Sequence, residues 1–127
     1  MKPKPFSINE RIGSFKPAIA GLMWFFKKEH NVRIHIFVAI LAILGGLYFH
    51  ISNNEWLVII LCIGIVLTIE ALNSAIEKLV DLFTIEKNSQ AGLIKDLAAG
   101  AVLISSIMAL IAAVIIFFPK IMVLFFP

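Results

Sequence analysis

Apolar positions fall into one amphipathic stretch and three long runs, and their spacing predicts four helices. Across residues 10–30, Ile12, Phe15, Ile19, Leu22, Met23 and Phe26 recur at steps of three and four, with one adjacent pair, which marks a helix with one apolar face. Pro17 is comfortable only in a first turn, so the helix is expected to be secure from Pro17 to Lys28, with Ser14 to Lys16 leading in. It is too polar to span a bilayer. Trp24, Phe25 and Phe26 beside Lys27 and Lys28 suit the headgroup interface; packing on its own protein is the plainer alternative, and both can hold together. A first span is expected at residues 33–51, where the fully apolar part, Ile36 to Phe49, needs its flanks to cross roughly 30 Å of hydrocarbon. Gly45 and Gly46 would let another helix approach closely. Asn53-Asn54 interrupts the pattern and Glu55-Trp56 restarts it, giving a second span at 55–83. Thr84 to Gly92 reads as a polar loop. The third span is expected at 95–118: it carries no charge from Leu97 to Phe118, and it places Ala101, Ser105, Ala109 and Ala113 four apart. Pro119 is expected to end it. The fold class that follows is an all-α membrane protein, an N-terminal amphipathic surface helix plus three transmembrane helices per subunit, in a single domain over residues 1–127.

Composition agrees. The chain is 61% hydrophobic and 15% charged over 127 residues, against roughly 45–50% apolar content in soluble domains. A soluble core of this size could not hide that much apolar surface. The single cysteine, Cys62, cannot form an internal disulfide, and no Cys/His cluster has zinc-site spacing. The net charge is +3, yet its placement is more informative than its size. Lys2, Lys4, Arg11, Lys16, Lys27, Lys28 and Arg33 precede residue 34, and Lys78, Lys87 and Lys95 lie between the second and third runs. The connection around His50 to Glu55 has no lysine or arginine. This is the pattern of membrane sidedness rather than of nucleic-acid binding. It predicts a cytoplasmic N-terminus and a cytoplasmic 84–96 connection, with Lys120 as the one dissenting charge. Residues 1–9, with two prolines and two lysines, are expected to form a loose tail, and residues 1–11 do not have the form of a secretory signal.

The chemistry is concentrated in Glu70-Ala-Leu-Asn73-Ser74-Ala-Ile-Glu77-Lys-Leu-Val-Asp81, at the end of a nearly uncharged run. On a helix, Glu70, Asn73, Glu77 and Asp81 fall at about 0°, −60°, −20° and +20°, in one narrow stripe, with Ser74 beside it at about +40°. Charge at that depth is costly and needs a reason. A polar seam between helices, or a helix end emerging into water, is the plain account. A metal–phosphate site is the sharper one, since Mg²⁺ takes one or two carboxylates plus substrate phosphates. No GxxxxGK[ST], GxSxG or HxE/CxxC motif occurs. Partners for the stripe must come from Glu29, His30, Asn31, Arg33 and His35, and from Lys95-Asp96, all on the same membrane face. Together they supply what phosphoryl transfer needs: metal ligands, cations and a base. Lys27, Lys28 and Arg33 also serve as topology determinants, and Asp96 suits a helix N-terminus. Two other classes stay open on the residues alone. One is an intramembrane proton or ion pathway carried by Glu70, and the other is a structural membrane adaptor.

Glu70-x-x-Asn-Ser-Ala-Ile-Glu77-x-x-Val-Asp81 resembles the signature of the prokaryotic diacylglycerol kinase family of small membrane lipid kinases, in eight defined residues of twelve. The resemblance extends to Ser14-Phe15-Lys16 through Gly21, to Glu29-x-Asn31-x-Arg33-x-His35 and to Lys95-Asp96-x-Ala98-Ala99-Gly100-Ala101-Val102, and so covers about residues 11–120. It implies a homotrimer in a bacterial inner membrane, with active sites shared between subunits. It also implies transfer of the γ-phosphoryl group of ATP, with Mg²⁺, to a lipid alcohol. By the same resemblance Glu70 is the catalytic base and Glu29 and Glu77 are metal ligands. Glu86, Lys87, Asn88, Lys95 and Asp96 fall in nucleotide-contacting segments; Asn31, Arg33, His35 and Asn73, with Glu70, are candidate substrate-binding residues, and Asp81 is a further polar position of the site. The chain departs from the family at Pro17, where many members carry an aromatic residue, and at Glu10, which stands in register with a nucleotide-contacting arginine, with Arg11 next to it. Asn31-x-Arg33-x-His35, Glu55-Trp56, Ala98 to Val102 and the Ile-Phe-Phe-Pro-Lys ending look more like the undecaprenol kinase branch than the diacylglycerol kinase branch.

Overall fold

The computed structural model describes residues 8–83 and 88–126, in four helices: α1 (Ile8–Lys28), α2 (His30–Tyr48), α3 (Asn53–Phe83) and α4 (Ser89–Phe125). The last three are long and apolar enough to cross a membrane. At about 1.5 Å per residue α2 is roughly 28 Å long, close to the hydrocarbon thickness, whereas α3 is roughly 46 Å and must project beyond it. The polar stripe lies on the C-terminal half of α3.

Two prolines do not act as expected. α1 begins at Ile8 and carries Pro17 in its interior rather than in its first turn. The bond lost is the one to the Gly13 carbonyl, and Gly13 and Phe15 to Ala20 are exposed, so solvent can donate to that carbonyl instead. α4 likewise runs past Pro119 to Phe125, where the Lys120 ammonium folds back and donates to the Ile116 carbonyl at 3.3 Å. The 84–92 connection is also shorter than expected, because Asn88 accepts a hydrogen bond from the Gln90 N–H at 2.8 Å and starts α4 at Ser89.

The α2–α3 turn is specified by local chemistry at both ends. The Ile51 N–H donates to the Gly46 carbonyl (3.1 Å) and the His50 N–H to the Leu47 carbonyl (3.4 Å), with His50 at φ 49°: a Schellman close with histidine in the place glycine normally takes. Ser52 and Glu55 then form a reciprocal capping box, the Ser52 N–H donating to Glu55 Oε2 (2.7 Å) and the Glu55 N–H to Ser52 Oγ (3.4 Å). The other Glu55 oxygen accepts from Lys120 Nζ at 2.5 Å, which ties the start of α3 to the end of α4.

α3 and α4 make the main contact, α2 lies against α3, and α1 packs lightly, on α2 and through Trp24 on Lys78 of α3. Among the described residues a buried apolar cluster, Ile51, Ile59 and Ile116 with Trp56 and Phe117 around it, lies toward the turn end. Gly46 makes room for it, since a Cβ there would come within 2.8 Å of Trp56 and 2.9 Å of Ile51. Most large apolar side chains of the three long helices point outward, as lipid-facing surfaces do. Among the described residues the two largest fully buried side chains are Val32 and, unusually, an acid, Glu70.

Candidate active site on helix α3

Helix α3 presents the stripe toward α2 and α4, and the stripe divides by depth. Glu70 is 2% exposed, Asn73 6% and Ser74 4%. Glu77 is half-buried, and Asp81 is exposed. Apolar neighbours in both sequence directions keep α3 helical, so these polar groups are carried inward by helix geometry against their own preference for water. His35 of α2 meets Glu70, with Nε2 4.0 Å from Oε2. The Asn73 amide donates to Glu77 Oε1 at 3.0 Å, one turn along the same face. Among the described residues, Glu70 Oε2 and Asn73 Oδ1 are buried without any hydrogen-bond partner. Buried oxygens are almost always paired, so each exception calls for an explanation.

Below His35 lies a cavity of about 300 Å³ between α2, α3 and α4. Its walls are almost wholly apolar, including Val38, Ala42, Cys62 and Val66, with Ser106 the polar exception beside His35. The Ser106 hydroxyl is also buried without a partner among the described residues. His35 therefore borders both the acid and an apolar slot.

The remaining candidates do not all converge. Glu29 is the one residue between α1 and α2; it takes the N-cap position of α2, yet its carboxylate makes no cap and pairs with Lys78 at 3.0 Å. Arg33 turns away from the stripe, donating to the Lys27 carbonyl at the end of α1 (3.3 Å). Asn31 and Asp96 are exposed. Lys95 is paired with Asp81 (2.5 Å), so Asp81 belongs to an α3–α4 tie rather than to the buried stripe. Asn88 is engaged as the α4 cap, and Glu86 and Lys87 lie outside the described residues. Lys78 was not among the expected site residues; its signal was available, since it stands next to Glu77 with no chain-local partner of opposite charge except the stripe itself.

No three His, Cys, Asp or Glu side chains converge as a metal cage among the described residues. Mg²⁺ does not require one. The oxygen-only donors Glu29 and Glu77 fit the one-or-two-carboxylate set that it combines with phosphate oxygens.

The family model described as prokaryotic diacylglycerol kinase matches residues 16–117. The chain belongs to that family. Its relatives include the undecaprenol kinase of Bacillus subtilis (strain 168), 35% identical over 113 residues that cover 89% of this chain and 92% of the relative. The diacylglycerol kinase of Synechocystis is 34% identical over 110 residues, 86% of this chain and 63% of that protein. The diacylglycerol kinase of Haemophilus influenzae is 29% identical over 102 residues, 80% and 86% of the two chains. This prokaryotic diacylglycerol kinase family member is thus an enzyme, a membrane lipid kinase that transfers phosphate to an alcohol. Membership decides against the ion-pathway and adaptor alternatives, which the stripe alone had left open.

Proposed function

We propose that the chain is an ATP- and Mg²⁺-dependent kinase of a bacterial cytoplasmic membrane, acting on undecaprenol in preference to diacylglycerol. The observation that carries the chemistry is the buried, unpartnered Glu70 Oε2, set where an apolar slot meets the polar end of α3. The acceptor preference is supported by the 35% identity to an undecaprenol kinase over nearly the whole of both chains. Basic residues before 34 and at Lys78, Lys87 and Lys95 support a cytoplasmic position for the stripe, where ATP and a lipid hydroxyl can meet. Lys120, paired with Glu55, is the single basic residue against that orientation.

In the reaction, Glu70 accepts the proton of the lipid hydroxyl as the hydroxyl oxygen bonds to the γ-phosphorus, and the γ-phosphorus bond to the bridging oxygen breaks to release ADP. His35, 4.0 Å from Glu70 Oε2 and on the wall of the apolar slot, would orient that hydroxyl, and the slot would take the first part of the lipid chain. Asn73 holds Glu77 by its amide and keeps Oδ1 free for substrate. Glu29 and Glu77 would hold Mg²⁺, whose charge offsets that of the phosphates. Subunits assemble as a homotrimer in this reading.

Labelled ATP offered with undecaprenol and with diacylglycerol in mixed micelles tests the proposal. Label should enter undecaprenyl phosphate faster than phosphatidic acid. The reverse order overturns the acceptor assignment, and no labelled lipid from either overturns the reading as a whole.

A further inference from the structure

Lys78 stands one residue beyond Glu77, so its side chain leaves α3 about 100° around the helix from that of Glu77. There it meets the junction of α1 and α2. Its ammonium lies 3.0 Å from Glu29 Oε1 and 4.2 Å from the ring centroid of Trp24. Glu29 is extended at φ −84°, ψ 124°, at the N-cap of α2, where a carboxylate would ordinarily turn onto the helix N-terminus. It is turned to Lys78 instead. The pair is half open to solvent, with side-chain exposures of 48% for Lys78 and 22% for Glu29, so it adds little to stability and is easily exchanged.

We propose that Lys78 is an exchangeable counter-ion: it holds the Glu29 carboxylate until a divalent cation arrives, and it is then released toward the nucleotide phosphates. The inference rests on the reading of Glu29 as a metal ligand. An ammonium and a divalent cation compete for one carboxylate, because the two cations repel at contact distance. Metal alone must displace Lys78 with only water and the Trp24 face to receive it. Metal with a nucleotide displaces it onto phosphate oxygens. Lys78 thereby makes metal and nucleotide binding mutually supportive, and the coupling is reciprocal by linkage. Lys78 acts through Glu29 and is a positioning residue. A plain tether between α1 and α3 would have the same contacts without the coupling.

The test uses the full chain in micelles with Mn²⁺ as the metal probe, its free concentration read by electron paramagnetic resonance, with and without a non-hydrolysable ATP analogue. In the wild type the analogue should tighten Mn²⁺ binding. In Lys78→Met, Mn²⁺ alone should bind roughly fivefold or more tightly than to wild type, and the enhancement by the analogue should shrink accordingly. Lys78→Arg should restore both. In otherwise wild-type protein, Mg²⁺ together with the ATP analogue should change Trp24 emission, taken as the difference from Trp24→Phe, as the ammonium leaves the ring for the phosphates; this readout survives if Lys78→Met does not fold. Unchanged or weaker Mn²⁺ binding in Lys78→Met while Glu29→Gln loses Mn²⁺ leaves Lys78 a tether and overturns the proposal. A silent Trp24 overturns it as well. Unchanged Mn²⁺ binding in Glu29→Gln would instead remove the metal role of Glu29, and the proposal with it.

Discussion

Glu70→Gln separates chemistry from folding. The substitution replaces one carboxylate oxygen by an amide nitrogen with almost no change of volume, at a site 2% exposed. Glu70 Oε2 has no hydrogen-bond partner among the described residues, so no protein hydrogen bond to that atom is lost. Stability should therefore change by less than about 1 kcal/mol. The rate should not be spared. A positioned base contributes roughly 10²–10⁴-fold, or about 3–5 kcal/mol of barrier, and the amide cannot take the proton. The assay is labelled-phosphate transfer in mixed micelles at saturating ATP and lipid, run beside thermal unfolding and size-exclusion profiles of the same preparations. A kcat within about tenfold of wild type would refute the assignment of Glu70 as base. So would a lost rate that tracks lost folded protein, since the argument requires an intact fold. Glu70→Asp retains a carboxylate but withdraws it by one methylene, so it should recover only part of the rate.

Other expectations follow from the geometry. Glu29→Gln and Glu77→Gln should each raise the Mg²⁺ concentration for half-maximal rate by about tenfold or more, each losing at least about 1.4 kcal/mol of binding; an unchanged requirement in both would count against their role. Asn73→Ala frees Glu77 from its amide and removes a buried polar group, and should alter Mg²⁺ dependence and kcat together. Gly46→Ala forces a Cβ to within 2.8 Å of Trp56, and should lower unfolding stability in micelles by about 1–3 kcal/mol, less the fraction of a kcal/mol that alanine returns to the helix. His50→Gly relieves the positive φ and should raise stability by about 0.5 kcal/mol; a drop would mean that the histidine side chain, not the turn, governs that position.

Much of the architecture was legible because lipid leaves few options. Long uncharged runs can satisfy their backbone in lipid only as helices, so the three long apolar helices and their order could be read from hydropathy, and the N-terminal helix from the period of Ile19, Leu22, Met23 and Phe26. Helix periodicity also put Glu70, Asn73 and Glu77 on one face, as found. Boundaries were less legible. Pro17 and Pro119 read as limits, yet both helices pass through them; at Pro17 the exposed segment lets solvent meet the freed carbonyl. The Ser52–Glu55 capping box was written in the chain as Ser-Asn-Asn-Glu ahead of an apolar run and was available as a start signal for α3.

What no local pattern carries is which distant charges meet. Lys120 with Glu55, Lys95 with Asp81, Lys78 with Glu29 and His35 with Glu70 all join different helices, or a helix and a junction, and each depends on how the helices pack. The sequence by itself determined that a costly acidic stripe would cross from lipid to water on one helix, because that follows from helical period and hydropathy alone. Only the tertiary structure decided that Glu70 would be sealed against His35 with an oxygen unpaired, that Asp81 would be spent on Lys95, and that Lys78 would stand over Glu29. The reason is physical: a helix sets the direction of its own side chains, but the partner across a gap is chosen by the packing of the other helix.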